Sequence, residues 1–167
     1  MFDPLLSAAP AIQVHVLAAI LSLVLGPLVI YRNRRDRVHR TLGYVWVTAM
    51  AVTALSSFLI HDIAVLGPFS PIHLLSVVTL WSLFVAIRAA MRGDIHTHSG
   101  TLRGLYHYGL MIAGLFTFLP GRLLNTVFFA DAPAGGWVVI GLGTTLIATN
   151  ILRGWLDTRR RSVGRFI

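Results

Sequence analysis

The side chains best suited to chemistry in this sequence are seven histidines, spread along a very apolar chain. Imidazole can bind a haem iron or a divalent metal ion, and it can also exchange a proton near neutral pH. Cysteine is absent, so a metal or cofactor must be bound through nitrogen, oxygen or thioether sulfur. The sequence therefore predicts cofactor binding or proton transfer by histidine.

Two of these histidines, His15 and His107, lie inside apolar segments and share a helix face with small residues. Each is expected about 6 to 8 Å inside the nearer membrane boundary, where an ionisable group is costly and usually functional. His73 falls in the first turn of a third apolar segment, and His61 at the end of the second. The remaining three, which lie in basic loops, are His39, His96 and His98.

Five apolar segments must position these histidines. The chain is 56% hydrophobic and 12% charged, with a mean hydropathy of +0.75, which is typical of an integral membrane protein. About 20 apolar residues suffice for one helix to cross the hydrocarbon core. We predict an all-α membrane bundle, a four-helix core plus a C-terminal fifth helix in a single domain 1–167, with helices at 11–31, 41–63, 71–91, 102–122 and 136–156.

The arginines predict how this bundle is oriented. Five of them follow the first apolar segment directly, in residues 32–40, which read RNRRDRVHR. Cationic loops are retained on the cytoplasmic side, and with alternating helices every arginine except Arg122 falls there. The chain is therefore expected in the inner membrane, with a periplasmic N-terminus and a cytoplasmic C-terminus. The lipid bilayer, not nucleic acid, is the partner that this basic charge indicates.

Alternating topology divides the histidines into two candidate sites. The outer site would join His15 to His73 or His61, with Asp62 and Arg122 nearby. The inner site would join His107 to His39 or His98. Facing helices of a bundle can supply two axial imidazoles to one haem, so haem b is the cofactor that we consider first. Ligation of divalent ions, rather than of haem iron, by His15, His73 and His107 is the other interpretation of these two sites.

Arg122 is the one arginine predicted on the outer side. It follows a Pro-Gly break and could form an interfacial ion pair with Asp62. Alternatively, its guanidinium could bind a propionate, a quinone oxygen or another anion through two parallel hydrogen bonds. Earlier in the chain, Pro27 removes one backbone hydrogen bond from the first helix.

A family resemblance adds to this interpretation. The combination of His-Arg-x-x-Gly-Tyr at 39–44, Ile-His-Leu at 72–74 and Leu-Pro-Gly-Arg at 119–122 resembles the bacterial family of predicted membrane proteins called DUF2306. The family carries no assigned activity. The resemblance implies a polytopic protein of the bacterial inner membrane and importance for His39, His73 and Arg122.

Two hypotheses about function remain open at this stage. The first is a b-type cytochrome or quinone-linked redox protein, with a quinone or a membrane redox protein as partner. The second is a proton- or metal-linked permease, or an accessory or assembly subunit without catalysis. Motifs of soluble enzymes, such as GxGxxG, Walker A, GxSxG and HExxH, are missing, so whether the chain is an enzyme stays open. Stripes of small residues make a homodimer a further expectation.

Overall fold

The computed structural model describes residues 3–32, 34–60 and 71–163, and 81% of the chain is helical. No strand occurs in these described ranges. The prediction of an all-α bundle is confirmed. The helices are α1 Asp3–Leu6, α2 Pro10–Ile30, α3 Arg37–Ser57, α4 Pro71–Met91, α5 Ile95–Gly104, α6 Met111–Phe116, α7 Leu123–Phe128 and α8 Gly135–Val163, and a π-helical segment, Leu105–Leu110, joins α5 to α6.

Two helices begin earlier than the sequence analysis predicted. The second helix was expected at 41 and begins at Arg37, because the Asp36 side chain accepts the His39 N–H and caps the first turn. The fourth was expected at 102, but helix begins at Ile95, where the Asp94 carboxylate accepts the Thr97 N–H. In both cases an aspartate N-cap starts the helix earlier, within a basic segment that the sequence predicts to be a loop.

Three helices are long and apolar enough to cross a membrane, within the ranges described: Pro10–Ile30, His73–Met91 and Gly135–Arg153. α3 is of similar length but less apolar, and it is not among these three helices. α5 is polar along most of its length. The chain is thus a helical membrane protein, and the count of five crossings stays a prediction.

The chain forms two compact units, residues 1–111 and 112–167. In the first unit α2 packs against α3, α3 against α4, and α4 against α5 and the π-helical segment. The π-helical segment and α5 also contact α2, which closes a ring of four helices. Consequently α2 lies diagonally opposite α4, and α3 lies diagonally opposite α5. The proposal of one domain stays a prediction.

Small residues let α2 pack closely against its neighbours. Ala18, Ser22 and Gly26, the stripe visible in the sequence, are all buried, and Gly26 lies against the Tyr106 ring of the π-helical segment. Trp46 of α3 is fully buried, and its Nε1–H donates to the Ser22 carbonyl over 2.8 Å. An apolar core of nine side chains fills the middle of the ring, formed by Val29, Trp46, Met50, Leu83, Ala86, Leu102, Leu105, Tyr106 and Leu110.

α4 ends in a Schellman motif at Gly93, whose φ of 76° favours glycine. The Asp94 N–H donates to the Ala89 carbonyl over 2.9 Å, and the Gly93 N–H donates to the Ala90 carbonyl over 3.1 Å. Since Asp94 also caps α5, one short turn ends α4 and starts α5. This turn therefore fixes where α5 begins relative to the end of α4.

The second unit contains a sharp break between α6 and α7. Leu119, Pro120, Gly121 and Arg122 form a type II turn, with φ of 83° at Gly121 and a 3.0 Å bond from the Arg122 N–H to the Leu119 carbonyl. Asn125 is almost fully buried, and its Nδ2 donates to two main-chain carbonyls that belong to Phe118 and Pro133.

Candidate functional site

The histidines that the structure describes in the four-helix unit lie at its two ends. At one end α2 begins, α3 finishes and α4 begins; we call this the serine-rich end, defined by His15, Thr53, Ser56, Ser57, His73 and Ser76. At the other end α2 finishes, α3 begins, and α4 gives way to α5; we call this the arginine-rich end, defined by Arg32, Arg34, Arg35, Arg37, Arg40, Arg88, Arg92 and Arg103.

At the serine-rich end, His15 of α2 contacts the last turns of α3. Its Nδ1 lies 2.9 Å from the Thr53 carbonyl oxygen and 3.2 Å from the Ser56 hydroxyl. A carbonyl oxygen can only accept, so Nδ1 carries the hydrogen. The Nε2 of His15 therefore keeps its lone pair. This orientation is the one that metal-bound histidines adopt, with the distal N–H held by a carbonyl.

His73 of α4 lies at the same end and is 5% exposed. Its ring stacks on Phe58, with centroids 5.6 Å apart and an angle of 13° between the planes. Beside it, the hydroxyls of Ser57 and Ser76 share a short hydrogen bond between α3 and α4. The structure thus brings His15 and His73 to one end of the ring, on diagonally opposite helices. The other predicted members, His61 and Asp62, lie outside the described residues.

At the arginine-rich end, His98 of α5 forms a hydrogen bond with the main chain of α4. Its Nδ1 lies 2.9 Å from the Ala86 carbonyl oxygen, so here too Nδ1 donates and Nε2 keeps its lone pair. His39, in the first turn of α3, has a buried Nδ1 without a hydrogen-bond partner in the described parts of the chain. Burial lowers the pKa of His39, and repulsion from His98, whenever that imidazole is protonated, lowers it further. His39 and His98 thus belong to the same end of the unit, on diagonally opposite helices.

His107 lies in the π-helical segment and has different partners from those predicted. Its Nδ1 donates to the Arg103 carbonyl over 2.8 Å, and its Nε2 accepts the Tyr31 hydroxyl over 2.9 Å. The sequence predicts a site that joins His107 to His39 or His98, whereas the structure pairs His107 with Tyr31 at the end of α2. Single π-helical turns occur often at functional sites, where they shift side chains around the helix.

Tyr106, the neighbour of His107, packs its ring against α2 at Gly26. A Cβ on Gly26 would lie 2.2 Å from the Tyr106 ring, so only glycine leaves room for this ring. Its hydroxyl donates to the Leu23 carbonyl over 3.1 Å. Pro27 has no N–H, and the Leu23 carbonyl therefore lacks its helical donor. Gly26 provides the space and Pro27 the free acceptor, and together they hold the π-helical segment against α2.

Arg122 belongs to the second unit. It follows the type II turn, precedes α7 with extended backbone angles, and is partly exposed. Its carbonyl accepts the Thr126 hydroxyl over 3.1 Å. Because Asp62 lies outside the described residues, the ion pair between Asp62 and Arg122 stays a prediction.

Each end carries two candidate imidazole ligands on facing helices, His15 and His73 at the serine-rich end and His39 and His98 at the arginine-rich end. No group of three or more histidine, cysteine or acidic side chains able to hold a metal ion occurs in the described ranges. A protein zinc site normally needs three or four such ligands. In a haem the porphyrin fills four positions around the iron, so two imidazoles complete its coordination.

Sequence reasoning missed two residues of these clusters. His98 appeared only as an alternative partner of His107, and Tyr31 was counted only as the last residue of a helix. A signal for His98 was available, since it lies four residues after Asp94 and thus in the first turns of a capped helix. No signal in the sequence indicated Tyr31, because its contact with His107 joins residues 76 positions apart.

Comparison with known proteins places the chain in a family. A family described as "Predicted membrane protein (DUF2306)" matches residues 12–152. No curated protein and no solved structure matches the sequence. The match covers α3, α4, α5 and the π-helical segment completely, together with nearly all of α2. The chain belongs to the DUF2306 family of predicted membrane proteins.

Proposed function

We propose that this protein transfers electrons in the membrane and holds b-type haem between diagonally opposite helices of the four-helix unit. His15 and His73 would bind haem at the serine-rich end, and His39 and His98 at the arginine-rich end. The observation that carries the proposal is the arrangement of these imidazoles. Each pair lies at one end of the ring, on helices that face each other across its core.

The hydrogen bonds of the histidines support this assignment. His15 and His98 each donate Nδ1–H to a main-chain carbonyl, which fixes the tautomer and turns Nε2 away from the helix. A buried ring nitrogen without a partner, as at His39, costs about 1 to 3 kcal/mol. Binding of a cofactor at this ring is one way to offset that cost.

Other residues of the four-helix unit would support electron transfer through a bound haem. A bound haem supplies one-electron chemistry. The packed core around Trp46 and Tyr106 excludes water between the two ends. Arginines at the arginine-rich end offer charge-assisted hydrogen bonds to the carboxylates of a cofactor. The Tyr31–His107 pair can exchange a proton there, as the chemistry of a quinone partner requires.

The decisive experiment is a dithionite-reduced minus oxidised absorption spectrum of the purified protein, expressed with a haem precursor supplied. We expect the α band of b-type haem. His98→Ala should remove the haem of the arginine-rich end and leave that of the serine-rich end. His15→Ala should have the opposite effect. Haem is quantified per folded chain in each case.

Two matched controls sharpen this test. His96 is exposed on the same helix as His98, two residues away, so His96→Ala should retain the full haem content. His107→Ala should also retain it, because Tyr31 already occupies the Nε2 of His107. A flat spectrum from folded wild-type protein, or equal haem loss in His96→Ala and His98→Ala, would refute the proposal.

The orientation that we propose places the N-terminus in the periplasm and the arginine-rich end in the cytoplasm. The absence of cysteine permits labelling of single introduced cysteines. Ser7→Cys and Gly100→Cys are suitable because both positions are exposed. In intact spheroplasts an impermeant maleimide should label the first, and label the second only after lysis. The reverse pattern would overturn the orientation.

Proton-linked transport is the second candidate, and the observation that favours it is the Tyr31–His107 hydrogen bond. A proton can pass between these two groups at the arginine-rich end. If wild-type protein binds no haem and His107→Ala abolishes proton uptake by proteoliposomes, this function replaces electron transfer. Retained uptake in His107→Ala would exclude this pair as the carrier.

A further inference from the structure

A cavity of about 350 Å³ lies at the junction of α4 and α5, separate from the histidine pairs. Its lining combines an apolar wall with charged groups. Phe84, Val85 and Ala89 form the apolar wall on α4. The charged groups are Arg88 and Arg92, one helical turn apart, and Asp94.

The two arginines are available to an anion. Both are exposed, and the Arg88 guanidinium lies 5.8 Å from the centroid of the Phe84 ring, in the range of a cation–π contact. Asp94 is the one acid of the lining, and hydrogen bonding to Thr97 holds its pKa below the usual range. Its carboxylate accepts the Thr97 N–H and is thus engaged in capping α5. The cavity therefore carries a net positive charge.

The position of the cavity indicates where this anion comes from. The stretch His73–Met91, which is long and apolar enough to cross a membrane, ends beside it, so a bilayer around this stretch would place the guanidinium groups near the lipid headgroups. Phe84 is 52% exposed one turn before Arg88, which continues the apolar wall towards the hydrocarbon core. We propose that this cavity binds the phosphate of an anionic phospholipid, with an acyl chain along the apolar wall.

A phosphate group could also come from inorganic phosphate in solution. The lipid is favoured because the wall from Phe84 to Ala89 is apolar and belongs to a helix that crosses the membrane. Basic pockets at the cytoplasmic ends of such helices bind anionic headgroups. Guanidinium groups suit phosphate, since their parallel N–H donors match two of its oxygens.

The test uses the full chain in nanodiscs that contain phosphatidylglycerol and phosphatidylcholine. Lipid retained after release from the nanodisc is measured by native mass spectrometry. Wild-type protein should retain phosphatidylglycerol in preference to phosphatidylcholine. Arg88→Gln and Arg92→Gln should each weaken binding of phosphatidylglycerol about fivefold.

Arg34→Gln is the matched control, because it removes the same charge from an exposed position outside the lining. It should change retention less than twofold. Equal losses in Arg34→Gln and Arg88→Gln would show that only general charge matters and would overturn the site. Absence of a lipid preference in the wild type would overturn it without any variant. Displacement of the lipid by millimolar inorganic phosphate would reassign the cavity to the free ion.

Discussion

Replacement of Tyr106 by phenylalanine tests the link between Pro27 and the π-helical segment. The Tyr106 hydroxyl donates to the Leu23 carbonyl over 3.1 Å. In an unbroken helix this carbonyl would accept the N–H of residue 27, but proline has none. In a Pro27→Ala background the restored N–H should take over the bond. Tyr106→Phe should therefore destabilise the wild type and have little effect in the Pro27→Ala background.

The expected loss of unfolding free energy follows from the environment of the Tyr106 hydroxyl. Tyr106 is 6% exposed and its hydrogen bond to Leu23 is partly buried, so loss of the hydroxyl leaves the Leu23 carbonyl without this partner. Such an unpaired group costs about 1 to 3 kcal/mol in soluble proteins, and hydrogen bonds between membrane helices average about 0.6 kcal/mol. We expect Tyr106→Phe to lower the free energy of unfolding by about 1 kcal/mol in the wild type. A coupling energy of about the same size should appear with Pro27→Ala.

The assay is a double-mutant cycle, measured by reversible unfolding in mixed micelles with increasing dodecyl sulfate. Tyr108→Phe serves as the control, because Tyr108 lies in the same segment but is 53% exposed. It should change the unfolding free energy by less than about 0.5 kcal/mol. If Tyr106→Phe costs the same in both backgrounds, the Tyr106 hydroxyl does not replace the missing N–H and the argument is wrong.

Substitutions at two further positions test other parts of the fold in the same unfolding assay. Gly93→Ala should lower the free energy of unfolding by about 1 to 2 kcal/mol, because the backbone φ of Gly93 is 76° although the space around it is open. Gly93→Asn should lower it less, since asparagine tolerates positive φ better than alanine. An equal loss in the two variants would contradict a conformational cause. Asn125→Ala should cost about 2 kcal/mol, since Nδ2 donates to two carbonyls over 2.8 and 2.9 Å. Asn125→Asp should cost more, because a carboxylate has no hydrogen to donate, and tolerance of this change would refute that account.

The positions of two helix N-termini can be predicted from their capping residues more accurately than from the apolar runs. Asp36 and Asp94 each accept a main-chain N–H three residues later, which is the standard role of an N-cap residue. The first helix, expected at 11–31, is found at Pro10–Ile30, because there the apolar run itself defines both ends. Where charged residues are part of the helix, as at Arg37, the apolar run understates its length.

The partners of the histidines could not be predicted from spacing. His15 and His98 both donate to main-chain carbonyls of neighbouring helices, Thr53 and Ala86. A main-chain carbonyl is present at every residue, so the sequence carries no mark of which one will accept. In addition, these helices are apolar on the side facing lipid as well as the side facing the core, so hydrophobic periodicity does not set their rotation.

The sequence by itself determined the membrane class, the all-α fold and the supply of imidazole ligands, because composition and run length decide these properties. Burial of Ala18, Ser22 and Gly26 also followed from their spacing. Only the tertiary structure decided that His98 bonds to the Ala86 carbonyl and that Tyr31 bonds to His107. Those contacts depend on which helices are neighbours in the ring and on a π-helical turn, and both arise from packing between segments distant in the chain.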